Sequence, residues 1–238
     1  MNMDVNLESG VLCRKTISSR SKYSGYVERK CHRLAHHSGK CGEFPFLEHL
    51  KSTHPRVASK IVRDAVMTTG AAWKSAEAGP NRILRWVMLL SDEELLEFGL
   101  NMSNLKDQVV AKLREKAADY DSCIRVAMAL TLTAYHMRDA PKMPKELRKY
   151  FEVIFETIEL HETLCCICLL PLSFSLFNDA RRGKASIETC HKDPRLHTPD
   201  NVGFAHRECN IAQGAKSLED FYEWISGILG RAKPRTLD

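Results

Sequence analysis

What the sequence of 238 residues lacks sets its first limits. No apolar run approaches the roughly 20 residues that a membrane span requires; the most apolar stretch, residues 126–135, is about half that length. The opening MNMDVNLESG lacks the basic-then-apolar layout of a secretory leader, so the expected compartment is the cytoplasm and no membrane partner is expected. No internal repeat or low-complexity tract is present, which argues against a solenoid. Acid is scarce in one place. Between residues 14 and 40, Glu28 is the only acidic side chain among Arg14, Lys15, Arg20, Lys22, Arg29, Lys30, Arg33 and Lys40, with Tyr23 and Tyr26 interleaved. Such a stretch can follow a phosphate backbone, where each neutralised phosphate releases counterions. It can equally be a solvated arm.

What is present is ordinary for a globular protein. The chain is 44% hydrophobic and 27% charged, with room for one large domain or two modest ones. A formal charge of +5 is mildly basic and alone says little about partners. From Pro55 to about Glu162 the apolar spacing is helical. VASKIVRDAV sets Val57, Ile61, Val62 and Val66 near one face, and RILRWVMLL follows after Gly79-Pro80. Ser91 with Glu94 forms a capping box at a helix start. VVAKLREKAAD, IRVAMALTLTAY and, beyond the breaker APKMP, ELRKYFEVIFETIEL complete a helical bundle or array. Trp73, Trp86, Met128, Tyr150 and Phe155 fall at core spacing, as does Cys123. After His161 the texture changes to cysteines, strand-like runs such as LLPLSFSLF, and loops, which puts a boundary near residue 163. A last amphipathic helix, FYEWISGIL, begins at Ser217 and is expected to cover the small domain.

Nine cysteines in a reducing compartment point to metal ligation or burial before disulfides. Cys165 and Cys168 share the two-residue gap of a zinc knuckle, as do His206 and Cys209. Thiolate and imidazole suit tetrahedral Zn²⁺, and a closed set of four would be structural, its binding energy acting as folding energy. Cys166 could serve in place of Cys165. The N-terminal CHRLAHHSGKC raises a second set from Cys31, His36 or His37, and Cys41, with Cys13; its spacing fits no zinc pattern, and a basic loop is expected.

Between the knuckles the sequence reads IETCHKDP, a loop, and DNVGFAHRECN. Glu188, His191 and Pro194, then Asn201, then His206, Cys209 and Asn210 follow the order of the HNH nucleases, and residues 163–225 resemble that zinc-stabilised ββα-metal family. Together with the helical spacing and the basic stretch before it, the resemblance gives an expected α+β, mostly α chain: a basic arm at 1–54, a helical domain at 55–162, and an HNH domain with its C-terminal helix at 163–238. It also implies roles. His191 is the general base that takes a proton from the attacking water. Asn201 holds the loop and orients the imidazole. Asn210 offers its amide oxygen to a hard divalent ion, Mg²⁺ or Mn²⁺. Where the family carries aspartate before the histidine this chain has Cys190, a poor ligand for a hard cation, so Glu188 is the expected acidic ligand, with Cys190 retained as a ligand for a softer ion. Gln213 stands where a lysine is common. His197 is a second candidate base or a loop residue, and Asp193 and Asp200 are turn formers.

The implied activity is metal-dependent hydrolysis of phosphodiester bonds in DNA, in restriction or defence, with a homodimer able to address both strands. The competing readings are a non-catalytic zinc-knuckle nucleic-acid binder and a protein scaffold built on the helices.

Overall fold

The computed structural model describes residues 11–17, 29–67, 90–106, 109–110, 120–155, 161–178, 186–194 and 196–232. The elements run α1 (Glu48–Thr53), α2 (Pro55–Val62), α3 (Asp92–Glu97), α4 (Tyr120–Tyr135), α5 (Lys145–Ile154), β1 (Ile187–His191), β2 (Val202–His206), α6 (Arg207–Gln213) and α7 (Leu218–Ala232). The fold is α+β and mostly helical, as expected, with one two-stranded antiparallel sheet among the described residues.

Helix α4 is the hub. Twelve of its 16 residues are buried, on every side of the helix, which is why its sequence reads as a near-continuous apolar run. The hydroxyls of Thr131 and Thr133 turn back onto the carbonyls of Ala127 and Ala129, so these polar groups enter the core already satisfied. Helix α2 brings Val57, Ala58 and Ile61 against α4, and a π-helical turn, Arg63–Met67, extends it. Helix α5 starts behind Pro144 and buries Leu147, Tyr150, Phe151 and Ile154, an i, i+3, i+4, i+7 stripe. The Ser91 capping box forms in full ahead of α3. RILRWVMLL, apart from Leu90, and VVAKLREKAAD beyond Val110 lie outside the described residues, as do Trp73 and Trp86.

One buried cluster runs from Leu12 through α2, α4 and α5 to Phe204 on β2 and Phe221 on α7. The sheet is thus roofed by α4 and shares the core of the helices. LLPLSFSLF forms no strand: Leu164 and Pro171 make an isolated bridge, and Phe174–Phe177 is a 3-10 turn. A left-handed Leu169 reverses the chain, and Pro171 has no N–H to extend a ladder. Phe177 instead stands edge-on to Phe204 at 5.2 Å. Helix α7 covers less than its pattern predicted. Phe221 is buried, while Trp224, Ile228 and Leu229 stay exposed, and the Tyr222 hydroxyl donates to the Ile167 carbonyl at 2.5 Å.

Candidate active site and metal centres

Residues 187–213 form strand, loop, strand and helix in direct succession, with His191 paired to Val202 and Ile187 to His206. The far end of this unit carries the first cluster. Cys165, Cys168, His206 and Cys209 bring their ligand atoms within 4.8 Å of one another. Each pair is delivered by a turn. Cys165 and Cys168 flank a tight reversal whose backbone is closed by Cys165 N–H to Leu170 O at 2.8 Å and Leu169 N–H to Cys165 O at 3.1 Å. His206 is the N-cap of α6, and Cys209 lies in its first turn. Cys166 N–H donates to Phe204 O at 3.0 Å, tying the reversal to β2. The Cys168 sulfur is 3.4 Å from His206 Nδ1. Burial, then the neighbouring Cys168 and Cys165, pushes the Cys209 thiol up to about 12.

At the near end sits a pair of histidines. His191 Nε2 lies 2.9 Å from His197 Nδ1, and His197 Nε2 lies 3.0 Å from the Ala65 carbonyl oxygen. A carbonyl only accepts, so His197 Nε2 carries the hydrogen and its neutral ring offers a lone pair at Nδ1. His191 Nε2 must then donate, which leaves the His191 lone pair at Nδ1. Burial is the main reason both rings are neutral. It lowers His197 to about 4 and, with the added presence of His197, lowers His191 to about 3 against the opposing pull of Asp64 and Asp193.

The loop between the strands is held by Asn201. Its Oδ1 accepts from Asp193 N–H at 2.8 Å, and its Nδ2 donates to Asp193 O at 2.8 Å and Leu196 O at 2.5 Å. Gln213, buried on α6, donates from Nε2 to the His191 carbonyl at 2.9 Å and to Lys216 O at 3.0 Å. Asp200 is exposed in the turn before β2. Asn210 is half-buried in α6.

The two acidic-ligand candidates sit in different surroundings. Glu188 is partly exposed and ion-paired through Oε2 to Lys60 Nζ at 3.0 Å. Lys60, only 2% exposed, also holds Asp64 Oδ2 at 2.8 Å, and Thr189 donates to that same oxygen at 2.8 Å. Burial opposes ionisation of Asp64, but Lys60 and Arg63 outweigh it and hold the carboxyl below its usual range. Cys190 faces inward against Cys166, and that contact, with burial, pushes its thiol far up. Its partner Cys166 is lowered, chiefly by the hydrogen bond from Cys190.

Residues 43–209 match the family model described as DraIII. The chain belongs to the DraIII family. A solved structure titled "Crystal structure of a type II restriction endonuclease" is 47% identical to it, covers 93% of this chain and 98% of that one, and superposes with a TM-score of 0.69. No curated protein matches. Membership of the DraIII family and this relative support DNA endonuclease function.

Several residues around the candidate site of this DraIII-family chain escaped sequence reading. Lys60 and Asp64 fall on the same i, i+3, i+4, i+7 stripe as Val57 and Ile61, and a lysine and an aspartate on a core-facing stripe were the available signal. The sequence leaves His197 open between a base and a loop residue; in the structure it is buried and bonded to His191. Gln213 marks only an absent lysine in the sequence, whereas in the structure it holds the His191 carbonyl. The N-terminal segment, expected as a basic loop, instead gathers Cys13, Cys31, His37 and Cys41, again with ligand atoms within 4.8 Å of one another. His36 is the exposed member of its pair, in a left-handed turn.

Proposed function

We propose that this chain is a metal-dependent restriction endonuclease of HNH type that hydrolyses DNA phosphodiester bonds. The observation that carries the reading is the chain from Ala65 O through His197 to His191. It fixes the tautomer of His191 and leaves Nδ1 as a proton acceptor on a ring held neutral. Neutral imidazole is the form that takes a proton from water. Burial makes it a weak base in the free protein, and the negative charge of a nearby DNA phosphate raises it towards the working range.

In this reading Asn201 and Gln213 are positioning residues, one fixing the loop and the other the His191 carbonyl. Asn210 and Glu188 would hold a hard divalent ion, Mg²⁺ or Mn²⁺; their oxygen donors fit such a cation, whereas the neutral inward thiol of Cys190 does not. That ion supplies charge stabilisation for the scissile phosphate and leaving oxygen. Cys165, Cys168, His206 and Cys209 would hold a structural Zn²⁺. A homodimer would place two such sites on the two strands.

The test is plasmid cleavage with Mg²⁺ or Mn²⁺. Loss of a general base costs about 10²- to 10⁴-fold in rate, and His191→Ala should fall by that amount with DNA affinity retained. Equal cutting by both proteins would remove His191 from the chemistry. Salt-sensitive DNA binding with no cutting by wild type would favour the non-catalytic reading, which Cys190 in the family's aspartate position motivates.

A further inference from the structure

We infer that Cys13, Cys31, His37 and Cys41 form a second structural zinc site, separate from the one at Cys165, Cys168, His206 and Cys209, which closes the base of the N-terminal basic segment onto the helical core.

The geometry is that of a four-ligand shell. Zn–S bonds of about 2.3 Å and Zn–N bonds of about 2.0–2.1 Å at tetrahedral angles put ligand atoms about 3.5–3.8 Å apart. His37 Nε2 is 3.4 Å from the Cys31 sulfur and 3.9 Å from the Cys41 sulfur, and the four ligand atoms lie within 4.8 Å of one another. The spacing matches that at the C-terminal cluster, where sulfur and imidazole nitrogen are also 3.4 Å apart. A backbone amide, Gly42 N–H, points at the Cys31 sulfur at 3.4 Å.

The scaffold brings the ligands together without help from local spacing. Residues 11–17 run antiparallel to 29–35, with bridges at Leu12–Leu34 and Thr16–Lys30; Cys13 N–H donates to Arg33 O and Cys31 N–H to Lys15 O, each at 2.8 Å, so the two cysteines sit diagonally across the pairing. His37 and Cys41 come from the turn that follows, closed by His32 N–H to Gly42 O at 2.9 Å. This framework is bolted to the core. Arg14 pairs with Asp121 on α4 at 3.2 Å, Tyr150 on α5 donates to His32 O at 2.7 Å, and His32 is fully buried between them. A cluster of three thiols and an imidazole on so fixed a frame is preorganised, which is the costly part of building a metal site.

All four positions are taken by protein, so this ion would be structural. Its place in the chain gives it a purpose. Residues 14–30, which leave from Cys13 and return at Cys31, carry Arg14, Lys15, Arg20, Lys22, Arg29 and Lys30.

The experiment uses the full-length purified protein, loaded with zinc and then chelated. Elemental analysis should find about two zinc ions per chain. Cys41→Ser should lose one of them and keep the other, and Cys209→Ser should do the converse. Because either variant could fail to fold, wild type is also alkylated with iodoacetamide and mapped by mass spectrometry. Cys13 and Cys41 should be protected until zinc is removed, although Cys41 is exposed. Rapid labelling of Cys41 in zinc-loaded protein, or a disulfide among Cys13, Cys31 and Cys41, would overturn the inference. Labelling confined to Cys168 and Cys209 would instead strike at the C-terminal zinc and leave this site standing.

Discussion

Two hydrogen bonds decide what His191 can do. With Nε2 donating to His197, its free lone pair is at Nδ1, and the arrangement persists only while His197 is anchored to a carbonyl of the π-helical turn. On the proposed function, removing that anchor leaves the base in place but unaimed. His197→Ala should therefore lower kcat by about 10- to 100-fold, the usual cost of losing an orienting partner, with KM for DNA little changed. His197→Gln, which keeps an acceptor for His191 and a donor for Ala65, should recover part of the loss. Steady-state cleavage kinetics on the three proteins check this; an unchanged kcat in His197→Ala would make His197 a packing residue only. His191, Asn201 and the knuckle cysteines were legible in sequence because each belongs to a short run with its own spacing. His197 was not, since its meaning depends on the carbonyl of Ala65, 132 residues away, and a carbonyl leaves no mark in a sequence.

At the level of elements, β2 passes so close to the Cys165–Cys168 reversal that position 203 has no space for a side chain. A Cβ on Gly203 would fall on the Cys166 sulfur, well inside van der Waals contact. Gly203 also pairs with Cys190 across the sheet, so three small residues form one tight layer. Gly203→Ala should destabilise the protein by about 1–3 kcal/mol, as overpacking does. In a Cys166→Ala background most of that penalty should vanish, giving a coupling measurable by chemical denaturation of the four proteins. Additive effects would mean that the layer is looser than described. Helix existence was readable from periodicity at α2, α4 and α5, because burial on one or all sides imprints itself on composition. LLPLSFSLF misled for the opposite reason. Leu169 and Leu170 stay exposed while a 3-10 turn buries Phe174 and Phe177, and a short apolar run does not distinguish that from a strand.

Across the whole molecule, burial holds four histidines below their usual range: His32, to about 4, with Arg14 adding to the effect; His197, also to about 4; the partly exposed His191, to about 3; and His136. In the unfolded chain each titrates near 6.5. Below that value the unfolded state takes up protons that the folded state refuses, so folded stability is complete above about pH 6.5 and is lost progressively as pH falls towards 4. Thermal melts of the DNA-free protein from pH 8 to pH 4.5 should show the decline beginning near 6.5. Following zinc release with a chromophoric chelator separates this from acid loss of metal. A melting temperature flat down to pH 4.5 would show that these rings are open to solvent. The N-terminal cluster marks where reading by motif stops. Its first ligand, Cys13, lies 18 positions before the next and meets it only because the chain doubles back.

Asn201 consumes the polar backbone of the turn it sits in, taking Asp193 N–H and returning its amide hydrogens to Asp193 and Leu196. A turn stitched from within has little freedom left to surrender when a ligand arrives. Any phosphate that reaches His191 is met by a ready-made wall, not by a jaw that has to shut.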